Sequence, residues 1–502
     1  MDLFSGLLSG LQVVLQPVNF LYCFAGVFVG TLIGVLPGIG PIGAMSILLP
    51  TTFGVSPASA IILLAGIYYG AMYGGSTTSI LVNIPGESSS VVTCLDGYQM
   101  ARNGRAGPAL GISAFGSFIG GTFSILALMF VASPLAKVAL KFGPPEYFSL
   151  ICLCLTVLIY LAKGSVIKAV IMGLFGLMIS TVGLDLTTGK PRFAFGAPTL
   201  YDGVGIVPLV MGLFGISEVL TNIEGSLERI IFKSNIKNLF PNLDDWKRSA
   251  GPIARGSILG FLLGVLPGGG AITSSFVSYT VEKKVSKHPE EFGKGAIEGV
   301  AGPETANNAA AGGAFVPFLI LGIPPNPVMA VLMGALMIQG VAPGPTLISG
   351  HPDIFWGVIA SMYMGNIMLL ILNLPLIGLW VKILKIPYGI LMPLILLFCL
   401  IGTYSINNNI FDVVIMITFG IVGYILRKFE YEEAPLVLAF ILGPILETSF
   451  RTSLIISKGN LSIFWERPIS AVALMIAALL FASTGLSFYR KAKPKAKPII
   501  TE

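Results

Sequence analysis

Ser76, Thr77 and Thr78, and far along the chain Thr305, Asn307 and Asn308, are the side chains best suited to hold a small polar ligand. They sit in sequence without formal charge: no Asp, Glu, Lys or Arg occurs between Leu3 and Gly86, or between Thr305 and Pro352. Hydroxyls and amides of this kind give an anion directed hydrogen bonds, and their oxygens, with backbone carbonyls, suit a small cation. Ser and Thr also bond back onto their own helices, whereas two neighbouring amides are harder to satisfy in an apolar run. Glu304 is the carboxyl nearest the Asn pair and Glu87 lies at a chain break, so each is a candidate for a coupling proton or cation as well as for helix capping.

The elements that must position these groups are interrupted helices. GVLPGIGPIGA (Gly34 to Ala44) and GVLPGGGAITS (Gly264 to Ser274) begin 264 − 34 = 230 residues apart. Pro37 and Pro267 remove a backbone donor, and the adjacent glycines permit unusual dihedrals, so a helix should break at each. Gly38, Gly40, Gly268 and Gly270 are candidates for carbonyl ligation of a cation, or for hinges. Further on, Gly74 and Gly75 precede Asn83-Ile84-Pro85-Gly86, and Gly312 and Gly313 precede Gly322-Ile323-Pro324; the two Ile-Pro pairs differ by 323 − 84 = 239. RAGPAL and VAPGPTL add a third correspondence, at 237. Three landmarks in one order indicate an internal duplication. Basic residues crowd before the second break and are absent before the first, so the positive-inside rule predicts two inverted repeats, with the C-terminus cytoplasmic. Candidate binding residues are therefore Gly74, Gly75, Ser76, Thr77, Thr78, Asn83, Pro85, Gly86, Thr305, Asn307, Asn308, Gly322 and Pro324.

Composition fixes the environment. Of 502 residues 54% are hydrophobic and 11% charged, with mean hydropathy +0.87, which excludes a soluble globular chain. Long continuous apolar runs point to helices and not barrel strands. The expected fold is an all-α polytopic membrane protein of about 10 to 13 membrane segments, including re-entrant or broken helices. The expected divisions are residues 1–221 for the first half, a basic connector over 222–255, residues 256–489 for the second half, and a basic cytoplasmic tail over 490–502. Pro41 to Phe53 is too short to cross and reads as a half-helix. Thr187 to Gly203 reads as an ordered surface loop. Glu447 and Arg451, four apart, suit an intrahelical ion pair. The net charge of +6 lies in loops and tail, so it speaks to topology and not to nucleic acid. Five cysteines and two histidines form no metal-ligand pattern, and no metal beyond sodium and no cofactor is expected. GxSxG, HExxH and a buried Asp pair are absent, which argues against a membrane enzyme.

At these residues the chain resembles the large membrane subunit of the tripartite tricarboxylate transporters, the TctA family. The words that carry the resemblance are GTLIGVLPGIGPIGAMSILLP, YYGAMYGGSTTSILVNIPGE, LDGYQMARNGRAGPALG, GKPRFAFGAPTLYDGVGIVPLVMGLFGISEVL, GPETANNAAAGGAFVPFLILGIP, YSINNNIFDVVIMITFGIVGY and LGPILETSFRTSLIISKGN. Where the family pattern resembles GIPG, this chain has Gly322-Ile323-Pro324-Pro325-Asn326-Pro327, a stiffer tip. The resemblance implies a secondary active transporter of the bacterial inner membrane, a symport permease for citrate-like carboxylates driven by sodium or protons. It also implies a periplasmic solute-binding protein and a small membrane subunit as partners, elevator-type movement, and compatibility with a homodimer. A sodium/proton antiporter or an ion channel would use the same broken helices. Because the uncharged runs hold no Arg or Lys, helix N-termini are expected to stand in for basic side chains at the anion.

Overall fold

The computed structural model describes residues 3–36, 40–161, 165–185, 188–224, 239–383 and 388–492. Helices follow one another in the order α1 (Leu3–Val14), α2 (Pro17–Val35), α3 (Gly40–Leu48), α4 (Pro57–Val82), α5 (Val91–Arg102), α6 (Ala106–Ala139), α7 (Pro144–Leu161) and α8 (Val166–Ser180). After these come α9 (Ile206–Glu224), α10 (Leu243–Val265), α11 (Gly270–Val285), α12 (Glu298–Gly313), α13 (Pro327–Ile338) and α14 (Pro352–Asn373). The chain finishes with α15 (Ile377–Ile383), α16 (Tyr388–Asn407), α17 (Ile410–Lys428), α18 (Ala434–Ile456) and α19 (Pro468–Ala492). Among the described residues eight helices are long and apolar enough to cross a bilayer, and five shorter apolar helices accompany them. The all-α polytopic expectation holds, apart from one small antiparallel pairing of Gly183 with Arg192 and Leu184 with Pro191 in the surface loop.

Two compact units are present. Met1–Lys141 with Val182–Phe429 forms one, and Phe142–Thr181 with Glu430–Glu502 forms the other. The smaller unit packs α7 and α8 with α18 and α19. Gly176 lies on the Leu436 carbonyl, Ser149 bonds Ser470 at 2.6 Å, and Phe148, Phe450 and Phe464 stack together. The expected Glu447–Arg451 pair forms there at 2.7 Å.

The larger unit is built from one contact used twice. A Cβ on Gly26, Gly30 or Gly34 of α2 would lie 2.4, 2.5 or 2.3 Å from the carbonyl oxygens of Leu63, Ile67 or Ala71 of α4. On Gly256, Gly260 or Gly264 of α10 it would lie 2.6, 2.3 or 2.3 Å from those of Gly302, Ala306 or Ala310 of α12. The second set is the first with 230 added on one helix (256 − 26) and 239 on the other (302 − 63), the two offsets read from the GVLPG and Ile-Pro words. Small residues let these backbones touch, which is how helices associate where lipid supplies no hydrophobic drive.

Helix ends repeat in the same way. The left-handed stops are Asn83 (φ 60°) after α4 and Gly322 (φ 68°) after the wide turn that extends α12. Glu87 and Asn326, again 239 apart, accept from backbone N–H groups of the turn that follows, Ser89 N at 2.6 Å and Met329 N at 3.0 Å. α5 and α13 then close on Gly104 (φ 77°) and Gly340 (φ 75°), with Arg105 N bonding Met100 O at 2.8 Å and Val341 N bonding Leu336 O at 2.9 Å.

The two sets run in opposite directions. Ser76 of α4 meets Glu304 of α12, whereas Tyr69, earlier in α4, shares a cavity wall with Asn308 and Gly312, later in α12. α6 and α14 likewise oppose: Asn366 bonds Phe118 O and Thr122, while the earlier Tyr363 bonds the later Met129. Each set's last long helix packs on the other set, α6 along α12 and α14 along α4.

The charged stretch read as a connector is helical from Leu243 onward, thirteen residues before the apolar run opens at Gly256 (256 − 243). Asn242 caps it by accepting from Asp244 N and Asp245 N at 2.9 and 2.8 Å, while the Asp245 carboxylate accepts from Asn242 N. Two of its arginines are held by carboxylates, Arg248 by Glu298 and Glu291 and Arg255 by Glu282, and Asp245 is paired with Arg105. The Arg248 guanidinium holds the Glu291 carboxyl below the ordinary range. This contribution is present at neutral pH and is lost as acid protonates Glu291.

Candidate functional site

The centre of the larger unit is Glu304, fully buried on α12. Its carboxylate accepts from Ser76 of α4, from Thr93 of α5, and from Asn307 Nδ2 at 3.3 Å. No Lys, Arg or His pairs with it among the described residues, since the nearby basic side chains are engaged at the connector. A carboxyl without a basic partner in low dielectric needs another positive charge, a proton or a cation, to settle there.

An amide chain extends from it. Asn308 Nδ2 donates to Asn307 Oδ1 at 2.5 Å, to Ser117 Oγ at 2.8 Å and to the Glu304 carbonyl at 3.1 Å. Thr305 bonds back to Ala301 O at 2.7 Å, so its hydroxyl is engaged within its own helix. Thr78 donates to the Val35 carbonyl at 2.8 Å, which satisfies an acceptor left open where α2 stops. Thr77 is buried beside them.

The tips close over this centre. A Cβ on Gly86 would lie 1.9 Å from the Gly34 carbonyl oxygen and 2.6 Å from Gly75 Cα, so the Asn83 to Gly86 tip rests on the first GVLPG element and on α4. Gly75 lies against Glu87 and Ser90, and Gly74 on the Thr31 carbonyl. In the second set Gly268 N donates to Pro325 O at 2.9 Å, tying the second GVLPG element to the Pro-rich tip. Pro324 is buried, and Gly322 lies on the Pro343 carbonyl. Gly40 and Gly270 have φ of 64° and 47°, each opening the short helix after its break. Pro37 and Gly38 lie outside the described residues, as do residues 493–502 of the basic tail.

Gly34 sits against Ala71 and Gly75, and Gly264 against Ala310. With Ser76 opposite Glu304 and Tyr69 beside Asn308 and Gly312, these heights differ by about one turn. α2 and α10 therefore both end near the middle of the larger unit, arriving from opposite ends.

The helix N-termini after the two tips carry side-chain caps. The carboxyl of Glu87 occupies the N-terminus after the first tip, with Ser89 N at 2.6 Å and Ser89 Oγ at 2.5 Å, and the amide of Asn326 occupies its counterpart. An incoming carboxylate would exchange with these caps, because the free N–H groups are already bonded.

Several functional-looking residues carry little sequence signal. Tyr69, Tyr73, Ser117, Ser124 and Asn366 are polar positions scattered in mostly apolar helices, and Thr93 and Asp96 lie on the short helix α5 in no recognised motif. Asp96 is fully buried; its Oδ1 accepts from the N–H groups of Gly293, Gly295 and Ala296 at 2.8, 2.8 and 2.9 Å, and Oδ2 from Tyr279 at 2.9 Å. It fastens the segment that leads into α12 and so sets where Glu304 falls. Asp96→Ala orphans three backbone N–H donors and the Tyr279 hydroxyl and should destabilise by about 2 to 3 kcal/mol, while Asp96→Asn, which keeps an acceptor, loses under half of that. Thermal unfolding in detergent reads both.

Comparison with known proteins follows the same line. A family model described as the tripartite tricarboxylate transporter TctA family matches residues 20–438. A relative from Agrobacterium vitis, described as "Uncharacterized 52.8 kDa protein in TAR-I ttuC' 3'region", is 55% identical over 476 residues, 95% of each chain. Another from the same organism, described as "Uncharacterized protein in TAR-II ttuC' 3'region", is 59% identical over 212 residues, 42% of this chain and 88% of its own length. No solved structure matches the chain.

Proposed function

Since the chain belongs to the tripartite tricarboxylate transporter TctA family, we propose that it is the permease that carries small di- or tricarboxylates inward on a cation gradient. The observation that carries this reading is the antiparallel pair of helices α2 and α10, which end within about one turn of each other in height near Glu304, a buried carboxyl with no basic partner among the described residues. Opposed repeats of one design supply two alternative openings onto a single central site. The family supports a tripartite assembly, and the proposed partners are a periplasmic solute-binding protein that delivers the substrate and a small membrane subunit, in the bacterial inner membrane.

In this arrangement the substrate binds between the tips. Asn83, Pro85 and Gly86 form one jaw and Gly322 and Pro324 the other, with Gly74, Gly75, Ser76, Thr77 and Thr78 facing Thr305, Asn307 and Asn308 beneath. The substrate carboxylates take backbone N–H groups and hydroxyls because no Arg or Lys is available in the uncharged runs. A cation balances Glu304, and Gly40, Gly268 and Gly270 flex as the jaws part. The tip prolines Pro324, Pro325 and Pro327 restrict the second jaw, so the first is the one that opens more widely.

The test is uptake of labelled citrate, and of other di- and tricarboxylates, into vesicles holding the purified protein and its small subunit. A solute-binding protein is supplied outside, and sodium and pH gradients are imposed separately. Accumulation that collapses when the gradient is dissipated is expected. Accumulation indifferent to both gradients, or cation exchange that proceeds with no carboxylate, would overturn the proposal, the latter in favour of an antiporter.

A further inference from the structure

The described residues between α8 and α9, 182–185 and 188–205, form a folded loop that displays two rings at a conformational cost. Phe193 and Phe195 both have φ of 49°, a left-handed conformation that bulky residues avoid, yet they are 54% and 89% exposed. Burial does not repay that strain. The backbone around them is fixed: Leu184 N donates to Tyr201 O and Asp185 N to Lys190 O, both at 2.9 Å, and Ala197 N donates to Ala194 O at 2.8 Å. Ala194, between the two rings in sequence, is buried and pins the strand. Asp185, also buried, accepts from Thr188 N at 3.1 Å and lies 3.9 Å from Arg192.

α9 fixes the side on which the loop stands. Its last turns pair with the end of α17, Glu218 with Arg427 and Glu224 with Lys428, and run on into the basic connector, so its first residues and the loop lie at the opposite face. By the positive-inside rule that face is the outer one. The root of the loop touches what leads to the tips: Ile206 packs on Gly334 of α13, which leaves the second tip, and α9 also packs on α3, which leaves the first GVLPG break. A load on the loop therefore bears on both. Lipid does not account for the strain, because a fluid surface adapts to any arrangement of rings, whereas a folded partner rewards rings already set in place. A membrane-embedded partner would meet the apolar flanks of the helices. A water-soluble one meets the outer loops, and here exposed Lys190 and Asp202 accompany the rings.

We propose that Phe193 and Phe195 are the anchors on which the soluble solute-binding protein of the tripartite system docks, each ring entering an apolar pocket of that partner; the proposal rests on the reading of the chain as a permease supplied by such a protein. Exposed aromatic side chains held in advance are the usual carriers of binding energy at such contacts. Docking there passes through α9 to α3 and α13, which links delivery of the substrate to the two tips.

The experiment measures binding of the purified solute-binding protein of the same system, with and without citrate, to the full chain and its small subunit in lipid nanodiscs. Phe193→Ser and Phe195→Gly should each weaken binding by about tenfold or more, mainly through faster dissociation. Glycine takes a φ of 49° freely, so the Tm of Phe195→Gly should hold or rise while docking fails. A loop that is merely structural gives the reverse, a lower Tm with unchanged affinity, and overturns the site. Phe195→Trp keeps an aromatic anchor and should retain affinity, and the fluorescence it adds should be indifferent to brominated lipid. Quenching by that lipid overturns the proposal in favour of a membrane anchor. Wild-type binding that both variants retain sinks this site alone, whereas a wild-type chain that the solute-binding protein does not bind sinks the delivery reading and the site with it.

Discussion

Glu304→Gln should leave a folded protein whose gradient-driven carboxylate uptake falls by about 100-fold, as expected when an ionisable group on an ion pathway is lost. Glutamine has the same shape, and its amide oxygen can still accept from Ser76 or Thr93. Where its NH₂ meets a hydroxyl, that hydroxyl turns to accept instead. The fold therefore loses little. Removing an unpaired buried carboxylate relieves a desolvation penalty of several kcal/mol, so the Tm should hold or rise. Transport is different, because the driving ion then has no negative charge to balance. Glu304→Asp keeps the charge but draws it back by one methylene, and an intermediate loss of about tenfold is expected. Parallel unfolding and vesicle uptake measurements check this. A Glu304→Gln variant that still accumulates substrate against a gradient would make the carboxyl merely structural.

Gly86→Ala is the largest expected steric effect. The added methyl would sit 1.9 Å from the Gly34 carbonyl oxygen and 2.6 Å from Gly75 Cα. Both are backbone atoms of packed elements and neither can rotate away. Overpacking usually destabilises by about 1 to 3 kcal/mol, and with main chain on both sides the loss should reach the top of that range or prevent accumulation of folded protein. The contrasting variant is Gly54→Ala, where nothing lies within 4 Å of the new methyl and the change should stay within about 0.5 kcal/mol. Where Gly86→Ala does fold, the tip stands off the first GVLPG element and carboxylate affinity should fall together with Tm. Equal Tm for the two variants would show that the tip does not rest on Gly34.

The paired landmarks were legible in the chain because Gly and Pro act locally: a proline ends a helix and a glycine permits a crossing whatever surrounds them. The offsets of 230 and 239 reappear for that reason in the Gly26–Leu63 and Gly256–Gly302 contacts and in the stops at Asn83 and Gly322. Polar capping at Glu87 was likewise visible as a break followed by serines, though its filling of the helix N-terminus expected for the substrate was not.

Sequence by itself determined the environment, the helical class and the double design, since each follows from composition or from residues a few places apart. Only the tertiary structure decided that Ser76 and Thr93 close on Glu304, that Asp96 fastens the entry to α12 from 197 to 200 residues away, and that Tyr69, Ser124 and Asn308 share one cavity. Those meetings depend on which helices cross, and at what height. In a membrane that is set by the fit of whole helix faces, so an isolated hydroxyl in an apolar run gives no sign of its partner until the helices are packed.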